Sequence, residues 1–234
     1  MLEAIHPANS YPPFFPIFVD LRGRKCLVVG AGEVAAAKIA QLLHHHTQIE
    51  VVSPRAAQSI RNNAAAGRIQ WHRRRFAPED VGGKFLVIAA TGSPRVNKAV
   101  FRACNAHGVL CNSVDDTAHC DFFYPAIVRR GPLQIAISTG GCSPTLAARL
   151  RREFEREFGP EWGKWVEHVG ELRRQILGGK MSAVTRKRRL QQIATPQAFR
   201  AFLRGPGQKA VRPGKKRRVQ SDRAASPLSA TPIR

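Results

Sequence analysis

The apolar run Lys25-Cys26-Leu27-Val28-Val29 breaks off at Gly30-Ala31-Gly32, and residues 33–43 then carry apolar side chains at helical spacing. These five residues, four of them apolar, make a strand, and Val34, Ile39, Leu42 and Leu43 suggest one face of the helix behind it. Gly30, Gly32 and Ala35 therefore form a G-x-G-x-x-A element between a strand and a helix. The first glycine permits the tight turn, the second lets a pyrophosphate approach the backbone, and the small third residue allows close helix-strand packing. The phosphate charge would meet the amides of Glu33 and Val34 at the helix start. The element predicts a dinucleotide site; a plain strand-helix turn is the alternative for the glycines alone.

The segments that follow repeat the alternation. Residues 49–52 (IEVV), 69–76 (IQWHRRRF), 85–91 (FLVIAAT) and 109–115 (VLCNSVD) read as strands, with helices near 55–66 and from Pro94 to His107. Strands alternating with helices predict a parallel, doubly wound sheet. The pattern then changes: FFYPAIVRR and LQIAIST flank Gly131-Pro132, which reads as an antiparallel hairpin. A helix should open behind it, with Ser143 as N-cap and Pro144 in the first turn. A further helical stretch follows Gly159-Pro160. The expected class is α/β: a Rossmann-type parallel sheet, a small hairpin-and-helix segment, and a C-terminal helical segment.

The net charge of +22 raises the question of a nucleic-acid partner, which its distribution answers in part. From Arg173 onward 17 Lys and Arg face one acid, leaving only +6 on the preceding residues. Residues 205–234 are basic and rich in Pro, Gly and Ser, the composition of a disordered extension, and KKRR at 215–218 is their densest patch. The charge belongs mostly to this tail, so nucleic-acid binding is the lesser reading beside a solvated tail. No apolar stretch has the length of a membrane span and the N-terminus lacks the pattern of a secretory signal, so a cytoplasmic protein is expected. The five cysteines, Cys26, Cys104, Cys111, Cys120 and Cys142, form no CxxC pair and read as buried free thiols.

The acid that commonly holds an adenosine ribose is poorly placed. Glu50 lies about 20 residues after the glycines, the usual spacing, yet it starts the second strand. The carboxyl end of that strand carries Ser53, Pro54 and Arg55, and Arg55 would even favour a 2′-phosphate. NAD and NADP both stay open on the residues.

In order and at close spacing, CLVVGAGEVAAAKIAQLL, FLVIAATGSPRVN, VLCNSVD, FFYPAIVRRGPLQIAISTGG and CSPTLAARLRREFE resemble the precorrin-2 dehydrogenase/sirohydrochlorin ferrochelatase family, which includes the N-terminal module of sirohaem synthase. The match runs from about Tyr11 to Arg174. The resemblance implies an NAD-binding Rossmann domain over 11–121, a homodimerisation segment over 122–158 and a helical segment over 159–204, with the tail at 205–234 outside it. It also implies removal of two hydrogens from precorrin-2 to give sirohydrochlorin, with Fe²⁺ as a possible co-substrate in a second step to sirohaem. The methyltransferase domain of fused sirohaem synthases is not recognised, so precorrin-2 is expected from another enzyme.

By the same resemblance Asp115, at the end of the C-N-x-V-D strand, is the catalytic base. Strand ends of this kind border the ligand crevice, which suits the role; a turn-starting aspartate is the alternative. Cofactor contacts are expected from Gly30, Gly32, Glu33, Val34, Ala35, Pro54, Arg55 and Thr91, and substrate contacts from Asn112, Arg130, Thr139 and Arg149. Arginine matches the eight carboxylates of the macrocycle, although a solvated helix face explains Arg149 equally. The chain departs from the family at Thr91-Gly92-Ser93, where acids are frequent, and at Ala36-Ala37, where a charged pair is. No metal ligands are assigned: His44, His45 and His46 point about 100° apart on a helix, and His119 is a lone loop histidine. Two other classes compete, a nucleotide-sensing Rossmann module without catalysis and a nucleic-acid binder acting through the tail.

Overall fold

The computed structural model describes residues 14–205. It divides into two compact units. One holds the described residues up to Arg129 together with Gln134–Gly159, and the other holds Arg130–Leu133 with the described residues from Pro160 onward. The basic tail expected at 205–234 lies, beyond Gly205, outside the described residues, as do the first residues of the segment expected to start at 11.

In the first unit, β1 (Lys25–Val29), β2 (Gln48–Val52), β3 (Gln70–His72), β4 (Leu86–Ala89) and β5 (Leu110–Ser113) form one parallel sheet in the order β3-β2-β1-β4-β5. Alternate residues of each strand feed different layers. Cys26, Val28, Ile49, Val51, Leu86 and Ile88 pack with Ala35, Ile39, Leu42 and Ile60 of α1 (Glu33–Leu43) and α2 (Gln58–Ala65). Leu27, Val29, Val52, Val87, Ala89 and Cys111 pack with Val100, Ala103 and Cys104 of α3 (Pro94–His107). Covering on both faces explains why the strands read as continuous apolar runs rather than alternating ones. Each buried Val, Leu or Ile contributes about 1.5–3 kcal/mol, so the sheet is the stable frame on which the loops are carried.

The end signals of α3 act as their chemistry dictates. The Ser93 hydroxyl accepts from the Val96 amide, Pro94 opens the first turn, and Gly108 takes the left-handed conformation, φ 63°, that closes the helix. The hairpin is β6 (Ala126–Arg130) and β7 (Leu133–Ile137), joined at Gly131-Pro132, and α4 (Pro144–Glu157) follows with Ser143 accepting from Leu146 N.

Several expectations need correction. Val34 is 49% exposed, and the buried face of α1 is Ala35, Ile39 and Leu42. Ile39 and Leu42 lie on the expected face, but Ala35, about 100° of rotation from Val34, completes it, and Val34 turns toward solvent. α2 begins three residues later than expected because Ser53–Ala57 form a loop, and β3 keeps only three of its eight residues, the arginines at 73–75 having left the sheet. All five cysteines carry free thiols, but Cys120 is half-buried and Cys142 exposed.

The second unit contains α5 (Glu161–Gly178), α6 (Ala183–Ile193) and α7 (Pro196–Arg204). α7 docks through aromatic rings: Phe199 lies 4.5 Å from Trp162, and Phe202 lies 5.3 Å from Trp165 and 5.1 Å from His168. Gly163 is needed where α5 meets the hairpin turn, since a Cβ there would come within 3.1 Å of the Arg130 carbonyl. No helix of the described residues is long and apolar enough to cross a membrane.

Candidate functional site

The carboxyl ends of β1, β2, β4 and β5 finish in register and continue as linked loops. Val29 aligns with Val52 and Ala89, and Ala89 with Ser113. One step further, Gly30 N donates to Val52 O (3.0 Å), Ala90 N to Val29 O (2.8 Å), and Val114 N to Ala89 O (2.9 Å). The glycine turn, the Thr91 loop and the Asp115 loop thus leave one edge of the sheet.

The two glycines serve different needs. Gly30 has φ 105°, and a Cβ on it would stand 2.3 Å from the Ala90 carbonyl oxygen, so the turn itself excludes a side chain. Gly32 has φ −83° and ψ −170°, ordinary extended values, and a Cβ there would meet nothing within 4 Å. Its bare backbone faces open space at the start of α1, where no side chain caps the helix. Glu33 and Val34 are exposed beside it while Ala35 is fully buried under the first turn. Uncapped amides with room in front of them fit a pyrophosphate. The β2–α2 loop is tied to this turn by Ala57 N donating to Ala31 O (2.8 Å).

At the adenosine side, Glu50 is already occupied. Its carboxylate accepts from Lys84 Nζ (2.6 Å) and contacts His72 Nε2 (3.1 Å). Burial pushes its pKa up, but the lysine and histidine outweigh that and hold it below the usual carboxylate value. Pro54 and Arg55 are exposed past the strand end, where the Ser53 hydroxyl donates to Arg55 O (2.7 Å). Thr91 is committed to its own turn: its hydroxyl donates to Asn97 Oδ1 (2.6 Å) and accepts from Ser93 N (3.2 Å). Asn97, buried on α3, also donates to Thr91 O (3.2 Å) and so fixes this loop, a part that sequence reasoning missed.

Asp115 is exposed and sits in left-handed backbone, φ 62°. Aspartate tolerates that region better than most residues, yet it is uncommon enough to need support. The support comes from both sides of the loop. Cys120 Sγ donates to Ser113 O and Asp116 O, both at 3.2 Å, and Asp121 Oδ2 accepts from Cys111 N (2.8 Å). Asn112 Nδ2, from the buried strand, donates to Phe122 O (2.8 Å). Asp116 pairs with His119 Nδ1 at 2.7 Å, and the His119 ring stands edge-on to Phe101. The loop is closed on itself by these bonds, with Asp115 exposed on it.

The remaining expected residues serve other segments. The Thr139 hydroxyl accepts from Ser143 N (3.1 Å) in the turn before α4, and Arg149 pairs with Glu153 one turn along that helix at 3.4 Å. Arg130 belongs to the other compact unit. His44 caps the end of α1, and His46 beyond it has φ 51°. Among the described residues no group of three or more His, Cys, Asp or Glu is arranged to hold a metal ion.

Comparison with known proteins agrees with this geometry. A family model described as putative NAD(P)-binding matches residues 17–126, and one described as sirohaem biosynthesis protein central matches residues 130–157. Siroheme synthase 1 of Pectobacterium atrosepticum is 41% identical over 175 residues, 75% of this chain and 36% of the relative. The siroheme synthase of Photorhabdus laumondii is 38% identical over 163 residues, 70% of this chain and 35% of the relative. The chain thus spans little more than a third of the length of these relatives. A solved structure described as SirC, precorrin-2 dehydrogenase superposes with a TM-score of 0.70 at 28% identity, covering 82% of this chain and 98% of that one.

Proposed function

We propose that this chain, which belongs to the sirohaem-biosynthesis family of NAD-binding proteins, oxidises precorrin-2 to sirohydrochlorin with NAD as the hydride acceptor. The observation that carries the reading is Asp115, an exposed carboxylate two residues past the end of β5, at the sheet edge that also carries the Gly30–Gly32 turn. A nucleotide-sensing module needs the turn but has no use for a carboxylate presented there on left-handed backbone.

In this reaction the macrocycle loses a hydride and a proton. The nicotinamide, when bound, takes the hydride. The chain's own part is to hold the pyrophosphate on the amides of Glu33 and Val34, leave room for it at Gly32, and take the proton on the Asp115 carboxylate. Pro54 and Arg55 flank the adenosine, and Thr91 shapes the loop between the cofactor and Asp115. Asn112 supports the substrate side by fixing the Asp115 loop, and Thr139 and Arg149 are the further contacts to the acidic macrocycle.

The reading includes a homodimer built through residues 122–158. A two-stranded hairpin is not stable alone, and Ile127 and Leu146 are exposed apolar residues on the hairpin and on α4. It also includes a cytoplasmic setting, where five free thiols stay reduced. Anaerobic incubation of the purified chain with precorrin-2 and NAD tests the function. NADH and sirohydrochlorin should appear in equal amounts; a stable precorrin-2 spectrum and no NADH would reject it.

A further inference from the structure

Lys38 lies on α1, three residues after the buried Ala35, on the strip that borders the core face. Its ammonium nitrogen stands 3.7 Å from the centroid of the Tyr124 ring, and that ring packs against the core beneath α1. The side chain is half-buried, and no salt bridge among the described residues uses it. Burial lowers its pKa, and the Asp115 carboxylate opposes that shift through space rather than through a hydrogen bond. Tyr124 gives no competing charge, since burial raises its phenol further above neutrality.

An ammonium has three N–H donors, and withdrawing it from water is costly unless they are satisfied. A ring face supplies attraction but no hydrogen-bond acceptor of ordinary strength. Lys38 is therefore a cation held in place by Tyr124, with no hydrogen-bond acceptor among the described residues and with the Asp115 carboxylate acting on it through space. The amides that receive the pyrophosphate are in the first turn of α1, whereas the Lys38 Cα is about 7 Å further along the helix axis and its ammonium is held at the Tyr124 ring. An anionic group of a ligand seated against Asp115 would meet it.

We propose that Lys38 binds a carboxylate of the tetrapyrrole substrate, fixing the macrocycle beside Asp115. The inference rests on the dehydrogenase reading and adds to it a substrate contact. Tyr124 holds the ammonium by its ring face, so the charge is oriented before substrate arrives and little side-chain freedom is lost on binding.

The test uses the full chain at saturating NAD, with precorrin-2 as the varied substrate. Lys38→Met keeps the aliphatic stem and removes the charge; Lys38→Arg keeps the charge. Lys38→Met should raise KM for precorrin-2 about tenfold or more, with kcat and NAD affinity within about twofold, and Lys38→Arg should recover most of the loss. An unchanged KM in folded Lys38→Met overturns the inference, as does a loss confined to kcat or to NAD affinity. If Lys38→Met does not fold, Lys38→Gln is measured in the same way, and failure of both to fold assigns the residue to structure and overturns the inference too. A wild-type chain without turnover would refute the dehydrogenase reading and this inference with it, whereas wild-type turnover with an unaltered variant KM refutes Lys38 alone.

Discussion

A Cβ on Gly30 would stand 2.3 Å from the carbonyl oxygen of Ala90, while one on Gly32, two residues along, would touch nothing within 4 Å. The first glycine is required by the protein's own backbone; under the proposed function the second is required by the pyrophosphate. Gly30→Ala should destabilise the fold by at least about 2 kcal/mol, from backbone collision and left-handed strain. Gly32→Ala should melt near wild type yet lose most NAD affinity. Thermal melts and NAD titrations of the two variants check the division; equal loss of stability in both would contradict it.

Glu50 should behave as a structural acid. Removing its charge in Glu50→Gln leaves Lys84 with no carboxylate at 2.6 Å and is expected to cost about 1–2 kcal/mol at neutral pH. The folded pKa is depressed, so the stabilisation is present above the unfolded carboxylate value and is lost as pH falls through the folded one. The difference between wild type and variant should therefore shrink in acid. NAD affinity should be unchanged; a variant of normal stability with weakened NAD binding would return Glu50 to the ribose.

The proposed dimer predicts sensitivity at exposed apolar positions of the hairpin and α4. Leu146→Glu and Ile127→Glu should each shift the chain from dimer to monomer at micromolar concentration in sedimentation runs. Wild-type protein that sediments as a monomer would remove the basis for this assignment.

Much of the frame was legible because local chemistry and tertiary packing agree. The apolar run at 25–29 and the glycines behind it specify strand and turn, and Ser93, Pro94 and Gly108 set the ends of α3 where the pattern predicted them. What the sequence did not resolve shares another cause. Val34 is apolar but stands one residue out of phase with the buried strip, and periodicity over eleven residues does not resolve that shift. Glu50 has the spacing of a ribose ligand, and only the fold brings Lys84, 34 residues away, onto it. Nothing in the sequence singles out Lys38, which meets the ring of Tyr124 only in the fold. Asn112 and Thr91 look like ligand contacts, yet their polar groups spend hydrogen bonds on the loops that carry the site. Residues of the frame announce themselves by type and period; partners drawn together from distant segments do not.

Under the proposed function Asp115 takes the proton at the sheet edge that carries the Gly30–Gly32 turn. Asp115→Asn keeps the size of the side chain and suits the left-handed backbone equally, but it cannot accept a proton at neutral pH. Single-turnover conversion of precorrin-2 by this variant, with NAD binding measured on the same preparation, is the most direct measurement. NAD should bind as in wild type while sirohydrochlorin formation falls by about 10²-fold or more. Conversion within a few-fold of wild type by folded, NAD-binding Asp115→Asn would contradict the assignment and leave the proton to water or to another group.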